Sequence, residues 1–127
     1  MPSEKAIMND ILMGVTALED AMFWRENVGF AWVGRDVTPA VGRTIKIRPR
    51  MKVLEDARPL QAGVPGLADI MGTRLGRAIA LEVKTQTGRQ EVSQIRFERA
   101  FTAAGGAYSV VRSREEALEF LRETCGG

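Results

Sequence analysis

Histidine is absent from all 127 residues. That removes Ser-His-Asp and Cys-His nucleophiles, histidine-ligated zinc and histidine-base nucleases together. A single cysteine, Cys125, beside the terminal glycines, cannot form an internal disulfide and reads as an incidental tail thiol. No run approaches the roughly 18 apolar residues of a membrane helix, and "MPSEKAIMND" at the start lacks an apolar signal core. The sequence therefore predicts an intracellular, cytoplasmic protein with no membrane partner. Any catalysis must rest on carboxylates, lysine, hydroxyls or a hard metal ion.

What remains is a composition suited to one globular domain, 1–127, with 45% hydrophobic and 27% charged residues. Net charge is only +2, but the charge is uneven. Residues 43–58, "RTIKIRPRMKVLEDAR", set Arg43, Lys46, Arg48, Arg50, Lys52 and Arg58 against Glu55 and Asp56. Such a cluster fits a polyanion partner, and equally a solvated loop or a lysine-protected strand edge.

Ile7, Ile11 and Val15 recur every four residues, which predicts a helix over 4–20 with Ser3 as N-cap. Residues 22–33 read as a bent strand or two short ones. Prolines and glycines punctuate 34–64, within which "TIKIR" alternates like a strand with one basic face. Strands over 67–71 and 77–85 form a hairpin with a loop of a few residues. A helix from about 91 to 104 stops at Gly105-Gly106. "AYSVVR" is a further strand, and Ser113 with Glu116 forms a capping box for a last helix, "REEALEFLRE". The expected architecture is α/β: a mixed sheet flanked by helices in the order α-β-β-β-α-β-α.

The strand "AIALEVKTQTGRQ" carries the chemistry. Alternation puts Ile79, Leu81 and Val83 on one face and Ala78, Ala80, Glu82 and Lys84 on the other. Two charges at a strand end read either as a plain ion pair or as a site. Asp69, thirteen residues before Glu82, comes within its reach if the two strands pair. Paired carboxylates repel unless one is protonated or a cation sits between them. Mg²⁺ is commonly held by one or two carboxylates plus water and phosphate oxygens, and Lys84 would stand beside it.

Asp, a gap, then Glu-x-Lys resembles the restriction-endonuclease-like PD-(D/E)xK nuclease superfamily. Together, "GVPGLADIMG", "IALEVKTQTGRQEVSQ" and "AAGGAYSVVRSREEALEFL" resemble the VRR-Nuc family, with core motifs over 63–121 and a basic insertion over about 34–62. "FWRENVG" resembles the family's upstream Arg-Asn-x-Gly stretch. Many members have aspartate directly after proline; here Pro65 is followed by Gly66, and Asp69 comes three residues after that.

The resemblance implies a restriction-endonuclease-like core and a Mg²⁺- or Mn²⁺-dependent DNA endonuclease leaving a 5′-phosphate. It implies Asp69 and Glu82 as metal carboxylates, the backbone carbonyl of Val83 as a third ligand, Lys84 as the catalytic lysine and Gln94 as the family's helix glutamine. Gln94 shares a helix face with Phe97 and Phe101, so an amide stands on an apolar stripe and needs a partner. Glu4 matches an acidic residue of the first helix and either completes the site or merely favours the helix dipole. Arg25, Asn27 and Arg89, with Arg43, Lys46, Arg48, Arg50 and Lys52, are the candidate DNA contacts. A homodimer on branched DNA such as a four-way junction is the expected assembly, with flap cleavage or nicking as the alternative activities. Rival readings are a non-catalytic DNA-binding module and an interaction subunit with a structural ion pair.

Overall fold

The computed structural model describes residues 1–26, 30–38, 42, 44, 46, 48–61 and 63–125. It divides into two compact units: Met1–Asn27 with Val64–Gly127, and Val28–Gly63.

In the first unit, α1 (Glu4–Thr16), β1 (Ala21–Arg25), β4 (Ile70–Arg74), β5 (Arg77–Val83), α2 (Val92–Ala103), β6 (Ala107–Val111) and α3 (Arg114–Cys125) follow in that order. The second unit holds β2 (Phe30–Asp36) and β3 (Leu54–Gln61). The described chain thus has two strands more than α-β-β-β-α-β-α; without that pair, the order is the expected one. The extra strands form their own two-stranded antiparallel sheet, with a register shift between Val33 and Arg35.

The larger sheet runs β1-β4-β5-β6. β1 and β5 flank β4 antiparallel, while β6 lies parallel to β5, so the sheet is mixed. Ile79, Leu81 and Val83 are fully buried in one core with Ile11 and Val15 of α1 and Leu121 of α3. Each such side chain contributes about 1.5–3 kcal/mol. On the other face, Ala80 packs with Ala68, Tyr108, Met71 and the α2 aromatics Phe97 and Phe101, which stack at 5.5 Å. Helices cover both faces, and the period-two pattern of β5 meets two different cores.

Local chemistry fixes the boundaries. Ser3 Oγ accepts from the Ala6 N–H, as expected of an N-cap. α1 ends at Thr16, four residues early. The β4–β5 connection is tighter than expected: Arg74 pairs with Arg77, leaving only Leu75 and Gly76 between them. Both have positive φ, 49° and 80°, as a type I′ hairpin turn requires. Gly72 lies inside β4, not at the turn. β4 starts at Ile70 instead of 67 because Val64–Leu67 forms a turn, closed by the Leu67 N–H donating to the Val64 carbonyl.

α2 ends in a Schellman arrangement: the Gly105 N–H donates to Thr102 O and the Gly106 N–H to Phe101 O. Ser113 Oγ accepts from the Glu116 N–H, but the Glu116 carboxylate accepts from Arg112 N, one residue before the capping-box position. Cys125 is not an idle tail residue: it is partly buried against the core, with Sγ 3.9 Å from the Arg74 carbonyl. Arg74 is itself buried, its guanidinium bonded to Asp20 through two nitrogens and to the Leu121 carbonyl.

In "TIKIR", Thr44, Lys46 and Arg48 are not in a strand, while Ile45 and Ile47 lie outside the described residues. Pro49 offers no N–H for a ladder, and a turn from Arg48 to Met51 follows at once. No described helix is long and apolar enough to cross a membrane.

Candidate active site

Asp69 immediately precedes β4. The register pairs Ile70 with Leu81, so one step further along the ladder Asp69 stands opposite Glu82. Asp69 Oδ2 accepts from the Val83 N–H at 2.8 Å, which fixes that carboxylate across the strand pair. Glu82 is almost fully buried, at 2% exposure. Burial first, then the charge of Asp69 and a hydrogen bond with it, raise the Glu82 carboxyl to about 8, against the pull of Lys84. The two carboxyl groups therefore meet on one face of the sheet.

Lys84 is also buried, and its Nζ lies 3.7 Å from Glu82 Oε1. From α2, Gln94 Nε2 donates to the same Oε1 at 2.9 Å. The Gln94 amide oxygen accepts from the Glu91 N–H at the helix start, so its orientation is set. Gln94 is thus both a helix-capping residue and a partner of Glu82. The other oxygen, Glu82 Oε2, is buried and meets no N–H or hydroxyl donor among the described residues, so the bond between Glu82 and Asp69 needs a proton on one of the two carboxyls. A buried carboxyl facing a second carboxylate is costly to ionise.

Two contacts place these groups. A β-carbon on Gly66 would lie within 2.0 Å of Ser93 O, so only glycine lets the loop bearing Asp69 press on the first turn of α2. Behind Lys84, Arg112 Nη1 donates to the carbonyls of Thr85 at 2.6 Å and Gly88 at 2.9 Å, tying down the next loop. Gln90 Nε2 donates to Glu98 and to the Tyr108 hydroxyl, and burial pushes the Tyr108 phenol up to about 12.

The remaining candidates take different places along the chain. Glu4 sits exposed in the first turn of α1, and its charge is the last of the contributions to the Glu82 shift. Arg25 ends β1 exposed; alternation with the buried Phe23 turns it to the face opposite the carboxylates. Arg89 is exposed in the loop before α2. Lys46, Arg48, Arg50 and Lys52 are exposed in the second unit, with Lys52 paired to Asp36 at 3.2 Å. Asn27 and Arg43 lie outside the described residues.

Sequence reasoning missed Glu26, whose N–H donates to the Asp69 carbonyl at 2.8 Å. It continues the row Glu26–Asp69–Glu82 across three strands, and only the strand register makes that row visible. Arg112 was also missed, because its partners lie 24 and 27 residues away in sequence.

As a metal seat, the side chains offer two carboxylates, Asp69 and Glu82, to which the family resemblance would add the Val83 carbonyl. Among the described residues no group of three or more His, Cys, Asp or Glu side chains is poised to hold an ion. Two carboxylates suit Mg²⁺, which keeps most of its waters, and Glu82 Oε2 meets no N–H or hydroxyl donor among the described residues that a cation would have to displace. The residues fit that ion, with Mn²⁺ as the close substitute, and do not fit a site that needs histidine or thiolate. Among known proteins, no family model matches the chain and no curated protein matches it.

Proposed function

We propose that the chain is a Mg²⁺- or Mn²⁺-dependent DNA endonuclease of the restriction-endonuclease-like type, acting on branched DNA as a homodimer. The observation that carries this reading is the meeting of Asp69 and Glu82 on adjacent strands, with Glu82 Oε2 buried away from any N–H or hydroxyl donor and the Lys84 amine at the other oxygen, Oε1. A purely structural ion pair would not need a second carboxylate set against the first.

The residues divide the work. Asp69, Glu82 and the Val83 carbonyl would hold the ion, which when bound supplies Lewis-acid polarisation of a phosphate oxygen and a more acidic water. The Val83 N–H fixes Asp69, and Gln94 fixes Glu82. The Lys84 ammonium offsets charge that builds on the phosphate as water attacks phosphorus in line with the departing 3′ oxygen. The product carries a 5′-phosphate. The exposed Lys46, Arg48 and Arg50 of the second unit would supply phosphate contacts, a salt-sensitive contribution.

The test is cleavage of end-labelled four-way junctions and flaps. Cutting is expected with Mg²⁺, is expected to stop with EDTA, and is expected to be lost in Lys84→Ala while DNA binding remains. Binding without any cutting by the unaltered protein, across Mg²⁺ and Mn²⁺, would leave only a DNA-binding module.

A further inference from the structure

The face that holds the carboxylates carries a second feature the hydrolysis does not use. Trp24 pairs across the strands with Met71, and Met71 with Ala80, which pairs with Tyr108. This row lies two residues along each strand from Glu26, Asp69 and Glu82, or one step on the same face. Its Tyr108 end packs with the α2 aromatics. Its Trp24 end does not: the indole is 43% exposed, on an edge strand.

The exposed ring is held in place. Trp24 Nε1 donates to Glu26 Oε1 at 2.7 Å, so indole and carboxylate share one face and the ring has little freedom left to lose. Diagonal strand neighbours such as Trp24 and Asp69 stand about 7–8 Å apart, within reach of an aromatic side chain.

Charge decides what such a ring can receive. The row beside it is acidic, so a phosphate gains little there from direct attraction. A nucleobase is neutral and offers a π-face, and stacking on an aromatic side chain does not depend on sequence. A base inside a duplex is already stacked on both sides, so only an unpaired base is free to occupy the ring.

We infer that Trp24 is a stacking platform for one unpaired nucleobase next to the phosphate being cut, selecting DNA with single-stranded character at a branch or flap. This rests on the nuclease reading and names the substrate feature that the same site would read.

The experiment uses the full chain and three DNAs of one sequence: a flap, an unpaired bubble and the perfect duplex. In Trp32→Phe, Trp24 is the sole tryptophan. Combined with Lys84→Ala to prevent cutting, its fluorescence should be quenched by the flap and the bubble and much less by the duplex. In the otherwise unaltered protein, Trp24→Ala should weaken flap and bubble binding about 5- to 100-fold and spare duplex binding. Trp24→Phe, which keeps a ring, should recover most of the loss. Melting curves for both variants separate this from misfolding.

A Trp24→Ala protein that folds, binds and cuts all three DNAs like the parent overturns the platform and leaves the nuclease reading standing. A parent protein that binds none of them overturns both. Quenching that follows protein concentration without DNA marks Trp24 as a self-association contact and also overturns the platform.

Discussion

Gly66 meets the first turn of α2 so closely that a β-carbon on it would stand 2.0 Å from Ser93 O and 2.8 Å from Gln94 N. Its φ of +77° disfavours any other residue as well. The loop that delivers Asp69 and the helix that delivers Gln94 are therefore locked at one point. Gly66→Ala should lower stability by at least about 1–3 kcal/mol and prise the two apart. Chemical denaturation reads the first effect. Loss of Mg²⁺-dependent cleavage in the fraction that stays folded reads the second.

Glu82 gives a pH signature. Its carboxyl is raised in the fold from an ordinary 4.5 to about 8. Between those values the folded state binds more protons than the unfolded state, so stability falls as pH rises through that window. The slope should reach up to about 1.4 kcal/mol per pH unit in EDTA, and thermal melts from pH 5 to 9 measure it. Glu82→Gln removes the titrating group and should flatten the curve. A parent protein that instead gains stability from pH 5 to 8 would contradict the buried, crowded carboxyl.

Metal should counter that loss. Binding at Asp69 and Glu82 requires both ionised, so Mg²⁺ should stabilise the protein more at pH 8.5 than at pH 6.5. At a hundredfold excess over its dissociation constant, the gain is about 2.7 kcal/mol. Asp69→Asn should abolish the gain, and melting with MgCl₂ against EDTA reports it without any cleavage assay.

Gln94 holds two bonds that two variants can separate. Gln94→Ala loses the acceptor for the Glu91 N–H, costing about 1 kcal/mol of stability, and also the donor to Glu82. Gln94→Glu keeps an acceptor at the helix start but puts a carboxylate against Glu82 Oε1. It should recover the helix-start bond but lose stability to carboxylate repulsion, more so as pH rises, and cut roughly 10- to 100-fold more slowly, as for other residues that orient metal ligands. Equal cutting by Gln94→Glu and the parent would reduce Gln94 to a helix cap.

Arg112 acts one step further back. Arg112→Ala frees the carbonyls of Thr85 and Gly88 behind Lys84. The expected result is a folded protein with faster amide exchange over 85–88 and a lower kcat at saturating Mg²⁺. A drop in DNA affinity with kcat unchanged would assign Arg112 to binding instead.

Much of this architecture could be read from residues alone where local chemistry dominates. The alternation of Ile79, Leu81 and Val83 against Ala80 and Glu82 marks β5 and its two faces. Gly105-Gly106 marks the end of α2, and Ser3 and Ser113 mark helix starts. What stayed hidden depends on register. Glu26 is one of sixteen acidic residues until β1 is laid beside β4, when it falls into line with Asp69. The β4–β5 turn is masked because Leu75, an unusual residue at positive φ, occupies a place where asparagine or glycine would announce it. Arg112 looks like any strand-end arginine, since nothing near it in sequence names its partners.

The β2–β3 ribbon is spliced into the chain between β1 and β4, two strands that already pair directly through Arg25 and Ile70. The ribbon adds no strand to the larger sheet, so a shorter connection would still join β1 to β4 as antiparallel neighbours. On the nuclease reading, the ribbon becomes the part to exchange for one of different length or charge, and cleavage of the same junctions and flaps would report whether the chemistry of Asp69, Glu82 and Lys84 survives the exchange.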